Sequence, residues 1–255
     1  MILILTVIFV VGLSVLGTYG FVTILRHRLQ NGILREGTRD IEGFYITVLG
    51  TLYAILIAFM IFAVWGRFYE ATVGTSQEAD NLADVYRFSR TLPEPYKRQA
   101  RQLCLEYGRT MIKNEWTEMA RNEYPKQGWV VVDKMWKLFG SISQSEVADP
   151  VIRDHLFTNF TELTDLRHYR LLASQSSLPG ILYGVLLFGA ILTVGFASIF
   201  AADDFGTHAL KACVLAALIS FMLFTVWSLD RPFSGKVHVP STPFARVIEL
   251  IEKTN

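Results

Sequence analysis

Residues 44–66 read FYITVLGTLYAILIAFMIFAVWG, and RFYEA follows at 67–71 without a break. The first stretch carries no charge. It is long enough to cross a bilayer as a helix, which takes about 20 apolar residues. No proline interrupts the chain from Phe44 to Leu92, and after Gly50 the only glycines there are Gly66 and Gly74. One helix is therefore predicted to leave the membrane and run on into water until Pro93 and Pro95 end it. A helix that changes solvent along its length requires membrane spans on one side and a helical domain on the other.

Three further apolar runs have membrane length: Ile2–Leu25, Leu178–Ala202 and Ala209–Leu229. Lys211 stands near the entry of the last, where its ammonium reaches the headgroups. Hydrocarbon offers no partner to backbone polar groups, so all four runs read as helices. The N-terminal run lacks a basic n-region and outlasts a signal-peptide core, so it reads as a span. The 255 residues are 51% hydrophobic and 18% charged, with the hydrophobicity in blocks, as in a membrane protein. A net charge of +1 gives no case for nucleic acid. Cys104 and Cys213 stand alone outside any C-x-x-C pair, against a disulfide framework or a zinc site.

The expected fold is all-α. Residues 1–66 form two transmembrane helices with a basic connecting loop, 67–177 a helical domain, 178–229 two more transmembrane helices, and 230–255 a strap and short helix. An even number of spans puts the N-terminus, domain and tail on one side. Trp65, Tyr183 and Trp227 fall at the membrane end facing the domain, the level that amphipathic rings favour. Charge leaves orientation open. Arg26, Arg28, Arg35, Arg39 and Lys211 on one side face Arg67, Arg167, Arg170, Arg231, Lys236 and Arg246 on the other.

Within the domain, Tyr96, Ala100, Leu103, Tyr107 and Met111 recur at helical spacing. Trp129, Met135, Trp136 and Phe139 mark a second helix. Asp149-Pro150 starts a third, with proline at a first helical position and an apolar face of Ile152, Leu156, Phe160, Leu163, Leu166 and Leu171. The last span leaves through LDRPFSGKVHVP, Leu229–Pro240. Pro232 stops the helix, Phe233 needs a pocket, and Gly235 permits a turn other residues resist. Arg231, Pro232, Phe233 and Gly235 are read as a docking strap, between subunits or onto the domain. The plainer reading is a span terminator and a loose tail.

At the exit of the second span, Phe59 is followed eight residues later by Arg67, Phe68, Tyr69 and Glu70. This resembles the second span of bestrophins, where a Phe precedes an aromatic-x-Arg-aromatic-aromatic-Glu signature. The turn Arg231-Pro232-Phe233-Ser234-Gly235, followed by ARVIELIE, resembles their Asn-Pro-Phe-Gly exit. A bestrophin-like family of prokaryotic membrane proteins is nearer still. Its LYAxLLAF, EAxxLxxLYR and LDRPFxG patterns resemble Leu52–Phe59, Glu78–Arg87 and Leu229–Gly235. The resemblance implies a homopentameric anion channel in the bacterial inner membrane, with domain and C-terminus cytoplasmic. Its second spans surround the pore. By position it implies a hydrophobic neck of Thr51, Ile55 and Phe59, i to i+4 steps that stay on one face. It implies a pore mouth or interface at Arg67, Phe68, Tyr69 and Glu70. Its partners are then lipid, its own copies and small anions. This chain departs from bestrophins at Thr51, where their necks are apolar, and at Met60–Val64, where they are polar. Residues 232–248 lack Asp and Glu, so no calcium clasp of oxygen ligands is implied.

Each feature has a plainer reading. Thr47, Gly50, Thr51, Ala54 and Ala58 suit close helix packing as well as a pore, and Gly180-x-x-x-Gly184 reads as a packing seam. Arg67 beside Glu70 suits a snorkelling pair. Glu162, Asp165 and His168 share a helix face without a second cluster, so a solvated face is expected rather than a metal site. No span holds a pair of Asp, Glu or His, and no Gly-x-x-x-x-Gly-Lys, Gly-x-Ser-x-Gly or His-Glu-x-x-His occurs. The expectation is no enzyme and no cofactor. The competing function is a non-conducting scaffold or sensor that binds a partner through the domain.

Overall fold

The computed structural model describes residues 2–29, 39–143, 149–199 and 205–254. Arg35, Asp203 and Asp204 lie outside them, as do the side chains of Arg26, Arg28 and Arg39. The regular elements are helices: α1 (Ile2–Leu29), α2 (Arg39–Ser89), α3 (Tyr96–Thr110), a π-helical turn (Met111–Glu115), α4 (Trp116–Ala120), α5 (Gln127–Ser141), α6 (Pro150–Gln175), α7 (Gly180–Ile199), α8 (Phe205–Leu229) and α9 (Thr242–Lys253). Helix α2 is continuous over 51 residues, as the proline-free sequence requires.

The chain divides into two compact units, Met1–Trp65 with Leu178–Asp230, and Gly66–Ser177 with Arg231–Asn255. The first is the membrane unit. Four helices are long and apolar enough to span a bilayer, the relevant stretches being Ile4–Leu25, Gly43–Ser89, Gly180–Ile199 and Phe205–Leu229. Here α1 packs along α8 through Val22, Ala209 and Ala212, with Tyr19 edge-on to Phe205 at 6.1 Å. The membrane part of α2 contributes Tyr53, Ile57 and Val64 to a cluster with Leu186, Ala190, Ile219 and Val226. Tyr53 donates its hydroxyl to the Leu186 carbonyl at 3.1 Å. The Tyr53 ring lies so close over Gly189 that a Cβ there would meet it at 2.5 Å. Within the chain, a Cβ added at Gly180 or Gly184 meets nothing within 4 Å. The close approach inside this unit is that of the Tyr53 ring on Gly189.

The second unit has its own core, built from the polar half of α2, from α3 to α6, and from α9. The tail thus belongs to the domain's core rather than standing apart from it. Asp149 caps α6 by accepting the Val151 N–H at 2.9 Å, ahead of Pro150. Asn122 ends α4 in the left-handed region (φ 62°). There Glu123 N–H bonds Glu118 O and Asn122 N–H bonds Met119 O, both at 2.9 Å, a Schellman ending. The expected face of α3 is buried at Ala100, Tyr107 and Met111, joined by Cys104 and Gly108. Arg167 and Arg170, expected as basic residues at a membrane end, are 0% and 2% exposed in this core. They follow Leu163 by four and seven residues, so the buried stripe of α6 runs through them.

Candidate functional site

Thr51, Ile55 and Phe59 lie on one face of α2 with Phe44, Val48 and Phe62. All are exposed within the chain, Phe59 by 66% and Ile55 by 50%. The buried residues Tyr53 and Ile57 lie on the other face, two residues on being about 200° around the helix. The same helix therefore uses one side to hold its own unit and leaves a row of apolar side chains uncovered. Beyond it, Phe68 packs on the domain core, Arg67 is half-buried, and Tyr69 and Glu70 are exposed. These four residues do not share one face. Glu162 and Asp165 line an open cleft of about 370 Å³ with Gln77, Asp80 and Tyr169.

The exit stretch does two separate things. In the membrane unit, Asp230 is 3% exposed. Its carboxylate accepts the Leu178 N–H at 2.8 Å and the Tyr183 hydroxyl at 2.9 Å. The end of α8 thus caps the start of α7, satisfying a free N–H with an acceptor of favourable charge. Tyr183, expected to meet water at the interface, is held by this carboxylate. In the domain unit, Pro232 and Phe233 are buried, Arg231 and Gly235 exposed. Phe233 meets the Trp116 ring edge-on at 5.8 Å. The Val239 N–H bonds Pro232 O at 2.7 Å, and Trp116 Nε1 donates to Val239 O at 2.9 Å. Gly235 has φ +78°, the left-handed region where a side chain is strained.

Behind Trp116 lies a network of four buried charges. Arg170 donates to Glu78 at 2.6 and 3.0 Å and to Glu115 at 2.8 Å. Arg167 donates to Glu115 at 2.5 and 3.2 Å. Tyr107 donates its hydroxyl to Glu78 at 2.6 Å. The Trp116 ring covers the Arg170 guanidinium at 4.8 Å and Trp129 covers Arg167 at 4.3 Å. Glu115 closes the π-helical turn; such one-residue expansions redirect side chains. Gly128 is required beside it, since a Cβ there would meet Arg167 Nη2 at 2.7 Å. Burial would lower the Arg170 pKa, but Glu78 and Glu115 overcome this and raise it further. Burial, then Glu78, pushes the Tyr107 hydroxyl well above the usual tyrosine range. Burial also pushes the Cys104 thiol up to about 12.

Sequence reading missed Asp230 and this network. The available signal was a pair of arginines in register with an apolar helical stripe. A charge in that position requires a buried partner.

The motif stretches map onto these features. Tyr53 of Leu52–Phe59 sits on Gly189, Glu78 of Glu78–Arg87 enters the network, and Leu229–Gly235 supplies the cap and the Phe233 anchor. No protein of curated function matches the sequence. Among solved structures, a bacterial bestrophin homologue from Klebsiella pneumoniae is similar at 14% identity and TM-score 0.74, over 96% of this chain and 96% of that one. A single-substitution variant of that homologue gives 14% and 0.74 over 97% and 98%. A structure described only as a membrane protein with one proline replaced by alanine gives 14% and 0.71 over 96% and 97%. At such identity the likeness shows the fold. The profile described as the Bestrophin-like domain matches residues 8–244, and the chain, an integral membrane protein, belongs to that family.

Proposed function

We propose that the chain assembles into an anion-conducting channel, with α2 of each copy facing a central axis. The observation that carries this reading is the uncovered row of Thr51, Ile55 and Phe59 opposite the buried Tyr53 and Ile57. Side chains from several copies converging there would form rings. Rings of apolar side chains gate by dewetting, and the positive edges of Phe59 suit an anion. Thr51 adds a hydroxyl donor at one end. The match to a channel-bearing family supports the same reading. Arg67 and Glu70 would then stand at the pore mouth or a subunit interface. Pro232 and Phe233 tie the tail to its own domain in this chain, so a strap reaching a neighbour would rest on Arg231. The assembly is a homopentamer in the inner membrane, with domain and tail cytoplasmic.

Current recorded from purified protein in a planar bilayer under an anion gradient tests the reading. A reversal potential that follows the anion is expected, and Phe59→Ala should raise the conductance severalfold by widening the neck. Chelating calcium should leave the current unchanged, since residues 232–248 carry no carboxylate. Silence in the bilayer from intact fivefold particles would overturn conduction. Monomers or dimers would overturn the ring. A reporter after Asn255 that works only in the periplasm would reverse the topology.

A further inference from the structure

The membrane unit carries an open pocket of about 340 Å³ lined by α1, α7 and α8. It lies deep in the spans, since Ser14 and Ala190 fall near the midpoints of Ile4–Leu25 and Gly180–Ile199. No charged residue lines it, and its walls are mainly apolar, Phe21 among them. Three hydroxyl-bearing residues also line it, Ser14, Thr18 and Ser220.

Elsewhere in these spans a hydroxyl closes on the carbonyl one turn back. Thr23 bonds Tyr19 O at 2.8 Å, Thr193 bonds Gly189 O at 2.7 Å, Ser198 bonds Val194 O at 2.7 Å and Thr225 bonds Phe221 O at 2.9 Å. Among the described residues, Ser14, Thr18 and Ser220 have no such partner. Thr18 is only 8% exposed. These oxygens open onto the pocket rather than being sealed in protein; at mid-membrane depth, where hydrocarbon offers no partner, three unpaired hydroxyls around one space favour an acceptor within it. The space is genuine, because a Cβ added at Gly17 or Gly195 in its wall would meet nothing within 4 Å.

We propose that this pocket binds a neutral, lipid-dissolved molecule with carbonyl oxygens on a compact apolar body, the chemistry of a quinone headgroup. The hydroxyls of Thr18, Ser14 and Ser220 donate to the carbonyls while the apolar wall takes the ring. A charged ligand is disfavoured at this depth with no countercharge in the wall. Phospholipid headgroups stay at the interface, and an acyl tail offers no acceptor.

The probe is decyl-benzoquinone carrying a diazirine, photolysed with the full-length protein in nanodiscs and mapped by peptide mass spectrometry. Saturable labelling is expected within residues 14–21, 187–195 or 216–223. Unlabelled decyl-benzoquinone should compete, and dodecane should not. Thr18→Val should lower labelling about tenfold, as loss of one hydrogen bond predicts. Gly195→Leu fills the space and should abolish labelling with the melting temperature retained, so the test survives a poorly folded Thr18 variant. Labelling spread evenly over lipid-facing residues, or equal competition by dodecane, would overturn the carbonyl-binding site. So would no saturable labelling, the outcome if water or a second copy fills the space.

Discussion

Single residues decide more here than their chemistry suggests in isolation. Arg170→Met would leave Glu78 buried with Tyr107 as its remaining partner, which costs about 3–5 kcal/mol, the range for breaking a buried pair. Adding Glu78→Gln removes the stranded charge and should recover much of that loss; calorimetry on the single and double variants reads both. Phe233→Ala should cost about 3–5 kcal/mol through the cavity left beside Trp116, with a changed near-UV signal from that ring. Gly235→Ala should cost about 1–2 kcal/mol, because φ +78° is strained for any side chain. The Cys104 thiol gives a pH dependence. Its pKa rises from 9.0 to about 12 on folding, so above pH 9 the unfolded chain releases a proton that the folded chain keeps. Stability therefore falls as pH rises from about 9 towards 12, and Tyr107 adds to the loss at the upper end. Melting temperatures across pH 8 to 11 should decline, and charged maleimides should label Cys104 only after denaturation.

At the scale of elements, the periodicity of the sequence located nearly every helix. Apolar runs of bilayer length, a proline-free stretch from Phe44, and an Asp-Pro start each correspond to one physical requirement. Positions where two requirements compete were not legible. Arg167 and Arg170 read as membrane-flanking charges because their partners, Glu78 and Glu115, lie on other elements far away in sequence. The π-helical turn carries no pattern of its own, since Met111 to Glu115 fits an ordinary helix equally well. Asp230 read as part of a turn because its partners, Leu178 and Tyr183, belong to another span. That Thr51, Ile55 and Phe59 share a face was accessible from spacing, and the uncovered state of that face comes from the structure. Gly189 gives an element-level expectation: Gly189→Leu should drive Tyr53 off the Leu186 carbonyl and loosen α2 from α7, seen as faster amide exchange in residues 53–57.

For the whole molecule, the two units have different solvents and are held by different means. The membrane unit closes on small residues, tyrosine bonds and one carboxylate cap. The domain closes on aromatic packing around four charges. Its core draws Phe244, Val247 and Ile251 from α9, which follows the fourth span in the chain. The order of synthesis then matters. The ribosome makes α3 to α6 early, but the helix that covers Tyr107 and Trp116 emerges only after α7 and α8 have been handed to the membrane machinery. Until then Tyr107 and Trp116 lack the cover that Phe244 gives them. A chain halted after Leu229 would hold all four spans yet leave those side chains uncovered, and limited proteolysis should cut its domain faster than that of the full chain.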